Sequence, residues 1–184
     1  MSYPVIDLDL DTLSGMKPLR QAVFSLGANL GDTIETLQRA VNLIAITPDV
    51  LVTDVSAVYR TAPVGKEDQP EFHNIVLLAE TMLSSDVLLD RIHAIEEALG
   101  RVREERWGPR TIDIDLVALG ERVRTDERLT LPHPRAHERA FVLVPWLETD
   151  PVATLVGHGP VADLVAGLDV AGVDRVEGAA VLLP

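Results

Sequence analysis

Apolar positions along the chain recur with two different periods, and each period predicts one kind of element. Alternation of apolar and polar residues, or a short apolar run bounded by turn residues, predicts a β-strand; a period near 3.6 residues predicts an amphipathic helix. The pattern predicts strands at residues 21–27, 50–60, 72–81 and 112–116, and helices that start after Asp32 and at Ser84 or Ser85.

Both predicted helices carry start and stop signals. Asp32 is followed three residues later by Glu35, as in a capping box, and the helix ends before Pro48. The second helix ends at Gly100, where a glycine in the left-handed conformation is expected.

The predicted order β-α-β-β-α-β is the split β-α-β pattern of ferredoxin-like folds. We therefore expect an α+β fold with an antiparallel sheet, helices covering one face and the other face left for a site. Residues 121–130 predict an added hairpin, and the patterns from about Arg135 and at 161–168 predict C-terminal helices. We assign residues 1–20 to an N-terminal extension, either an edge strand or a disordered acidic tail, and 21–184 to a single domain.

Composition narrows the possible environments of the protein. The chain has 184 residues and no cysteine, so disulfides are excluded. The N-terminal residues M-S-Y-P-V-I-D-L-D-L-D lack a basic region followed by an apolar run, so we do not expect them to be a secretory signal. No stretch of the sequence approaches the roughly 20 apolar residues of a membrane span. A net charge of −13 argues against a nucleic-acid surface. We expect a cytoplasmic monomer that binds neither membranes nor nucleic acid.

The cations of this acidic chain are concentrated in one segment. Of 16 basic residues, nine lie between Arg101 and Arg139, and all nine are arginines. Such a segment is expected to bind an anion, because arginine forks match phosphate oxygens bidentately. The alternative is a solvated loop in which these arginines pair with Glu104 and Glu105.

The predicted strand I-D-I-D-L at 112–116 places Asp113 and Asp115 on one face, about 7 Å apart. Two such carboxylates repel each other unless a positive charge lies between them. Mg²⁺ takes one or two carboxylates together with phosphate oxygens and water. The pattern favours a metal-bridged polyphosphate site; the alternative is a half-exposed strand whose acids face water.

The string R-V-R-E-E-R-W-G-P-R-T-I-D-I-D-L at 101–116 resembles the signature of the 6-hydroxymethyl-7,8-dihydropterin pyrophosphokinase family. The similarity extends from about Ala22 to Pro151 through F-S-L-G-A-N-L-G-D, Y-R-T-A-P-V-G, D-Q-P-E-F-H-N and L-P-H-P-R-A-H-E-R-A-F. The resemblance implies an α+β fold and the transfer of pyrophosphate from ATP to the pterin alcohol, with AMP as the second product, in folate biosynthesis.

The resemblance also implies roles for residues around ATP. Asp113 and Asp115 would bind two Mg²⁺ ions. The arginines that would clamp phosphates and stabilise charge are Arg101, Arg103, Arg106 and Arg110, of which Arg103 and Arg106 belong to a mobile lid. The remaining nucleotide contacts would be His93, Glu96, Ile114, His133 and Arg139. For Glu96 the alternative is a solvated surface residue, and for His133 a turn histidine packed between prolines.

For the pterin, the resemblance implies a sandwich between Phe72 and Phe141, with Trp107 packing from the lid. Asn74 would bind the ring edge, next to backbone groups of Thr61, Ala62 and Val64. Without the resemblance, both phenylalanines are better explained as core residues. The chain departs from the family pattern at four points: His93 replaces a frequent glutamine, Phe72 a tyrosine and Ala28 a serine, and the lid between Arg103 and Arg106 is one residue shorter.

Two other functions fit the same residues. A metal-dependent phosphohydrolase would use the same aspartates and need no pterin. A non-catalytic ferredoxin-like module would bind nucleotides or RNA through the arginines, with a steep dependence on salt.

Overall fold

Strand β1 (Arg20–Ala28) is an inner strand of the main sheet, and seven of its nine residues are buried. The computed structural model describes residues 17–63, 69–100 and 111–184. In that part of the chain the main sheet has six strands, and every pairing is antiparallel. Its order is β10 (Val173–Arg175), β3 (Tyr59–Thr61), β4 (Phe72–Thr81), β1 and β5 (Asp113–Leu119), with β2 (Val50–Val55) also paired to β4.

The elements follow the predicted order β-α-β-β-α-β and then continue with shorter pieces. The first group is β1, α1 (Thr33–Ala45), β2 (Val50–Val55), β3 (Tyr59–Thr61), β4 (Phe72–Thr81), α2 (Ser85–Ala98) and β5 (Asp113–Leu119). The second group is β6 (Arg124–Thr125), β7 (Thr130–Leu131), a 3₁₀ turn (Ala136–Glu138), α3 (Ala140–Thr149), β8 (Thr154–Leu155), β9 (Gly159–Pro160), α4 (Val161–Ala166) and β10 (Val173–Arg175).

The predicted helix signals are confirmed. The Asp32 carboxylate accepts a hydrogen bond from the Glu35 N–H at 3.0 Å, and the Ser84 hydroxyl accepts one from the Val87 N–H at 3.4 Å. Gly100 has a φ of +79°, the left-handed conformation expected after a helix.

One predicted strand is divided. The strand expected at 50–60 is β2 and β3, separated by residues 56–58. Here the Ser56 N–H donates to the Val76 carbonyl at 2.9 Å, and the Ser56 hydroxyl accepts from the Val76 N–H at 2.9 Å. The serine side chain thus takes the place of a backbone carbonyl, and the regular ladder is interrupted.

Helices α1 and α2 cover the first face of the sheet, as predicted. Their buried stripes pack on Phe24, Leu26 and Ile75 in one core. The second face is not left entirely to a site. Helix α3 packs through Leu143 and Trp146 on the half of this face that carries Val76, Leu78 and Val117, because α3 is apolar on nearly every side.

The added hairpin and C-terminal helices are present as β6–β7, α3 and α4. The helices of the described residues are all too short or too polar to cross a bilayer. Of the predicted extension 1–20, residues 1–16 lie outside the described residues, and Arg20 begins β1. The boundaries of the single domain stay a prediction.

The C-terminal segment returns to the sheet, which the sequence pattern did not indicate. β10 pairs with the outer edge of β3, so that Val173 lies opposite Thr61. Val181 is then 5% exposed against the first core, and the Gln38 side-chain amide bonds both the N–H and the carbonyl of Leu182, at 2.8 and 2.9 Å.

This packing predicts a stability difference between two valines of the C-terminal segment. Val181→Ala removes buried methyl groups and should lower the free energy of unfolding by roughly 1–2 kcal/mol. Val152→Ala is the matched control, because Val152 is 87% exposed, and its effect should stay within about 0.5 kcal/mol. Urea unfolding measures both; equal effects would contradict the docking of the tail.

Candidate functional site

Strand β5 ends the described sheet and places two acids on its second face. Ile114 and Leu116 are buried in the first core, so Asp113 and Asp115 project from the opposite side, as the alternation predicts. Both aspartates line a cavity of about 300 Å³ at the outer edge of β5. The expectation that the acids share a cavity is therefore met.

Asp115 has cationic neighbours on this face. Arg139 Nη1 donates to Asp115 Oδ2 at 3.1 Å, and His133 Nε2 lies 3.9 Å from the same oxygen. Burial raises the pKa of Asp115, and repulsion by Asp113 raises it further, while His133 and Arg139 act in the opposite direction. The net effect is a raised pKa, because burial and the nearby Asp113 outweigh His133 and Arg139.

His133 is held in one orientation by backbone groups. The backbone N–H of His133 donates to the Val117 carbonyl at 2.8 Å, and the imidazole Nδ1 accepts from the backbone N–H of Arg135 at 3.2 Å. When the imidazole is neutral, the proton is consequently on Nε2, which faces Asp115. Burial lowers the pKa of His133. A turn histidine that only packed between prolines would have no need to place Nε2 so close to Asp115.

The structure contradicts the alternative of a solvated surface residue for Glu96, while its contact with the nucleotide stays a prediction. Glu96 is only 2% exposed, and its Oε1 accepts a hydrogen bond from the Ile114 N–H at 2.7 Å. The surface alternative is wrong because α2 lies against the open edge of β5, where a backbone donor needs a partner. Glu96 and the exposed His93 still line the cavity, while the Ile114 side chain belongs to the core.

The opposite wall of the cavity is the segment between β6 and β7, and two arginines tie this region to α2 through ion pairs. Arg124 donates to Asp86 at 2.8 Å and also bonds Asp126, and Arg128 bonds Asp90. Asp86 raises the pKa of Arg124 most, and the Arg124 guanidinium holds the pKa of Asp126 at about 2. Sequence reasoning missed these pairs, although the two arginines are four residues apart and so are Asp86 and Asp90.

Residues predicted for the pterin lie together on the second face, beside the acids. Asn74 Nδ2 donates to Thr61 Oγ1 at 2.8 Å, and both residues are buried. Phe72 and Phe141 are half-buried, and Phe141 packs against the second core. The Arg139 guanidinium carbon lies 5.6 Å from the Phe141 ring centre. Ala62, next to Thr61, is exposed.

Several predicted residues cannot be placed in this geometry. Arg101, Arg103, Arg106, Trp107, Arg110 and Val64 lie outside the described residues. Their roles as phosphate clamps, lid residues and pterin contacts stay predictions. Within 17–63, 69–100 and 111–184, no group of three or more His, Cys, Asp or Glu side chains is arranged to hold a metal ion.

Comparison with known proteins agrees with the motifs and with this geometry. Residues 23–151 match the profile of the 7,8-dihydro-6-hydroxymethylpterin-pyrophosphokinase (HPPK) family, a span that contains every described residue of the site. The chain belongs to this family. A curated HPPK relative is the 2-amino-4-hydroxy-6-hydroxymethyldihydropteridine pyrophosphokinase of Methylorubrum extorquens, 46% identical over 159 residues, which cover 86% of this chain and 100% of that protein.

The enzyme of the same name from Bacillus subtilis is 45% identical over 127 residues, 69% of this chain and 76% of that protein. Among solved structures, wild-type HPPK-DHPS of Plasmodium falciparum aligns with a TM-score of 0.63 at 15% identity, over 85% of this chain. The chain spans 46% of that larger protein. This likeness supports the HPPK fold, and the family assignment rests on the sequence matches.

The Glu96 contact predicts a specific loss of stability. Glu96→Ala leaves the buried Ile114 N–H without its acceptor and should lower the free energy of unfolding by roughly 1–3 kcal/mol. Glu97→Ala, one residue later on the exposed side of α2, is the control and should change it by less than about 0.5 kcal/mol. Indistinguishable denaturation curves for the two variants would remove Glu96 from its role at β5.

Proposed function

We propose that this protein transfers pyrophosphate from ATP to 6-hydroxymethyl-7,8-dihydropterin, giving AMP and the pterin pyrophosphate in folate biosynthesis. The observation that carries the proposal is the pair Asp113 and Asp115, which face one cavity with His133 and Arg139 beside Asp115. All four residues lie inside the segment that matches the HPPK family.

The acids suit Mg²⁺, and we propose two ions there. Two carboxylates on one strand face supply hard oxygen donors. The pKa of Asp115 is raised by burial and by the nearby Asp113, and a bound cation would favour the charged form. Phosphate oxygens and water would complete the coordination around these two carboxylates. The metal would neutralise the phosphate charge and lower the pKa of the attacking hydroxyl.

The cavity beside β5 provides a place for ATP. Its inner wall carries His93 and Glu96, which would contact the nucleoside together with Ile114. His133 lines the cavity next to Asp115, and Arg139 contacts Asp115, so both would bind the phosphates there. Arg101, Arg103, Arg106 and Arg110 are proposed to complete the phosphate site from the segment that precedes β5.

The pterin would lie on the second face of the sheet between Phe72 and Phe141, with Trp107 closing over it. Asn74 would bind the amide-like edge of the ring, assisted by backbone groups of Thr61, Ala62 and Val64. Gly27 lies between Asn74 and Asp113 in the strand register. A ring bound at Asn74 and extending over Gly27 would therefore place its hydroxymethyl group near Asp113 and Asp115.

In the proposed reaction, the hydroxymethyl oxygen attacks the β-phosphorus of ATP. A bond forms between that oxygen and the β-phosphorus, the bond from the β-phosphorus to the bridging α,β-oxygen breaks, and AMP leaves. The hydroxyl proton is released to solvent. Positioning and charge stabilisation dominate such transfers. Arg139 and His133 would stabilise charge on the phosphates, while Asn74 and the phenylalanines hold the acceptor. A monomeric protein in the cytoplasm remains our expectation.

The products of turnover separate this function from the others. Protein mixed with ATP, Mg²⁺ and the pterin alcohol should release AMP in equal amount to the pterin pyrophosphate, as measured by chromatography. ADP as the product contradicts the proposal, and phosphate release without pterin indicates a phosphohydrolase. Binding without turnover, steeply weakened by salt, indicates a nucleotide- or RNA-binding module.

The aspartate pair predicts a loss of rate rather than of pterin binding. Asp115→Ala should lower kcat on the order of a thousandfold, since several kcal/mol of charge stabilisation are removed with the metal ligand. Pterin affinity, measured by fluorescence titration, should change little. Asp163→Ala on the exposed side of α4 is the control for a surface acid. If Asp115→Ala keeps most of the wild-type rate, the metal assignment is wrong.

A further inference from the structure

One residue of the proposed pterin site has no side chain. Asn74 on β4, Gly27 on β1 and Asp113 on β5 lie in one row, because Gly27 pairs with Asn74 on one side and with Asp113 on the other. Neighbouring strands are about 4.8 Å apart, so the row spans about 10 Å. Between the amide of Asn74 and the carboxylate of Asp113, the floor of the site is therefore bare backbone.

Space, not backbone conformation, requires the glycine. Gly27 is not among the glycines with positive φ in the described residues. A Cβ at this position would lie 2.8 Å from Asn74 Oδ1 and 3.9 Å from the Phe72 ring. The first distance is too short for a carbon–oxygen contact, so any side chain at position 27 must displace the Asn74 amide.

The same amide is fixed from its other end. Asn74 Nδ2 donates to Thr61 Oγ1 at 2.8 Å, and Asn74 and Thr61 are only 4% and 8% exposed. An asparagine side chain has two N–H donors and a carbonyl with two lone pairs. The bond to Thr61 uses one donor and leaves the second donor and the carbonyl oxygen for a ligand.

We propose that Gly27 and the Thr61 hydroxyl are positioning residues that fix the Asn74 amide for the donor and acceptor groups of the pterin edge. This inference rests on the proposed function. It gives the Thr61 side chain a role beyond the backbone contact expected for that residue. The open floor over Gly27 then admits a flat ring whose substituent reaches the Asp113 side of the row.

The first test is Gly27→Ala, assayed for pterin binding by fluorescence titration with a non-hydrolysable ATP analogue and Mg²⁺ present. The Kd for pterin should rise by about tenfold or more, as expected for the loss of one or two hydrogen bonds. The Kd for the ATP analogue alone should change less than about twofold. An unchanged pterin Kd, or an equal loss for both ligands, overturns the inference.

The second test uses the Thr61 hydroxyl. Thr61→Val should raise the pterin KM several-fold with a smaller effect on kcat, and Thr61→Ser should restore it, because serine keeps the oxygen that Asn74 needs. Thr53→Val is the matched control: its hydroxyl donates to the Leu78 carbonyl at 3.2 Å in the same sheet but away from the site. If serine fails to rescue, or Thr53→Val has the same effect, the Thr61 hydroxyl does not position the amide.

A double-mutant cycle tests whether Gly27 acts through Asn74. In an Asn74→Ala background the oxygen that Gly27 accommodates is gone, so adding Gly27→Ala should weaken pterin binding by less than about twofold. A full additional loss in the double variant overturns the inference and indicates general damage to β1. Wild-type protein that binds no pterin overturns this inference and the proposed function together. Normal wild-type binding with additive variants overturns this inference alone.

Discussion

The repulsion between two carboxylates on one face of β5 is the constraint around which the site is built. Burial and proximity to Asp113 raise the pKa of Asp115, so nearby cations are needed to favour its charged form. Arg139 supplies one positive charge at 3.1 Å, and His133 Nε2 lies 3.9 Å from the same oxygen. His133, Arg139 and the two acids thus form one electrostatic cluster at the edge of the sheet. The proposed binding of a nucleoside triphosphate with divalent cations rests on this cluster.

The period of the strands explains why the rest of the site gathers on the same face. Side chains alternate along a strand, so the second face receives Asp113 and Asp115 from β5, Gly27 from β1, and Phe72 and Asn74 from β4. Helix α3 covers only the other half of this face, and the loop before it supplies Arg139 at the boundary. The apolar packing of α3 on the sheet therefore fixes the position of Arg139, at the boundary between the covered and the open half of the second face.

The sequence predicted those features that depend on local periodicity. The β-α-β-β-α-β order, the caps at Asp32 and Ser84 and the two faces of β5 all follow from residues near one another in the chain. Contacts between distant segments were not predictable in this way. The interruption at Ser56 depends on a bond to Val76, and the buried position of Glu96 depends on how α2 lies against β5. The return of the C-terminal segment to β3 likewise carries no periodic signal.

The edge of β5 illustrates how such long-range contacts create a cavity. An edge strand has backbone groups that need partners, and another strand would normally supply them. Here individual groups do so: the Glu96 carboxylate accepts from the Ile114 N–H, and the backbone N–H of His133 donates to the Val117 carbonyl. A seventh strand at this edge would fill the space that the cavity occupies. Glu96 and His133 come from separate segments of the chain. They therefore satisfy these backbone groups of β5 and still leave the cavity that both residues line.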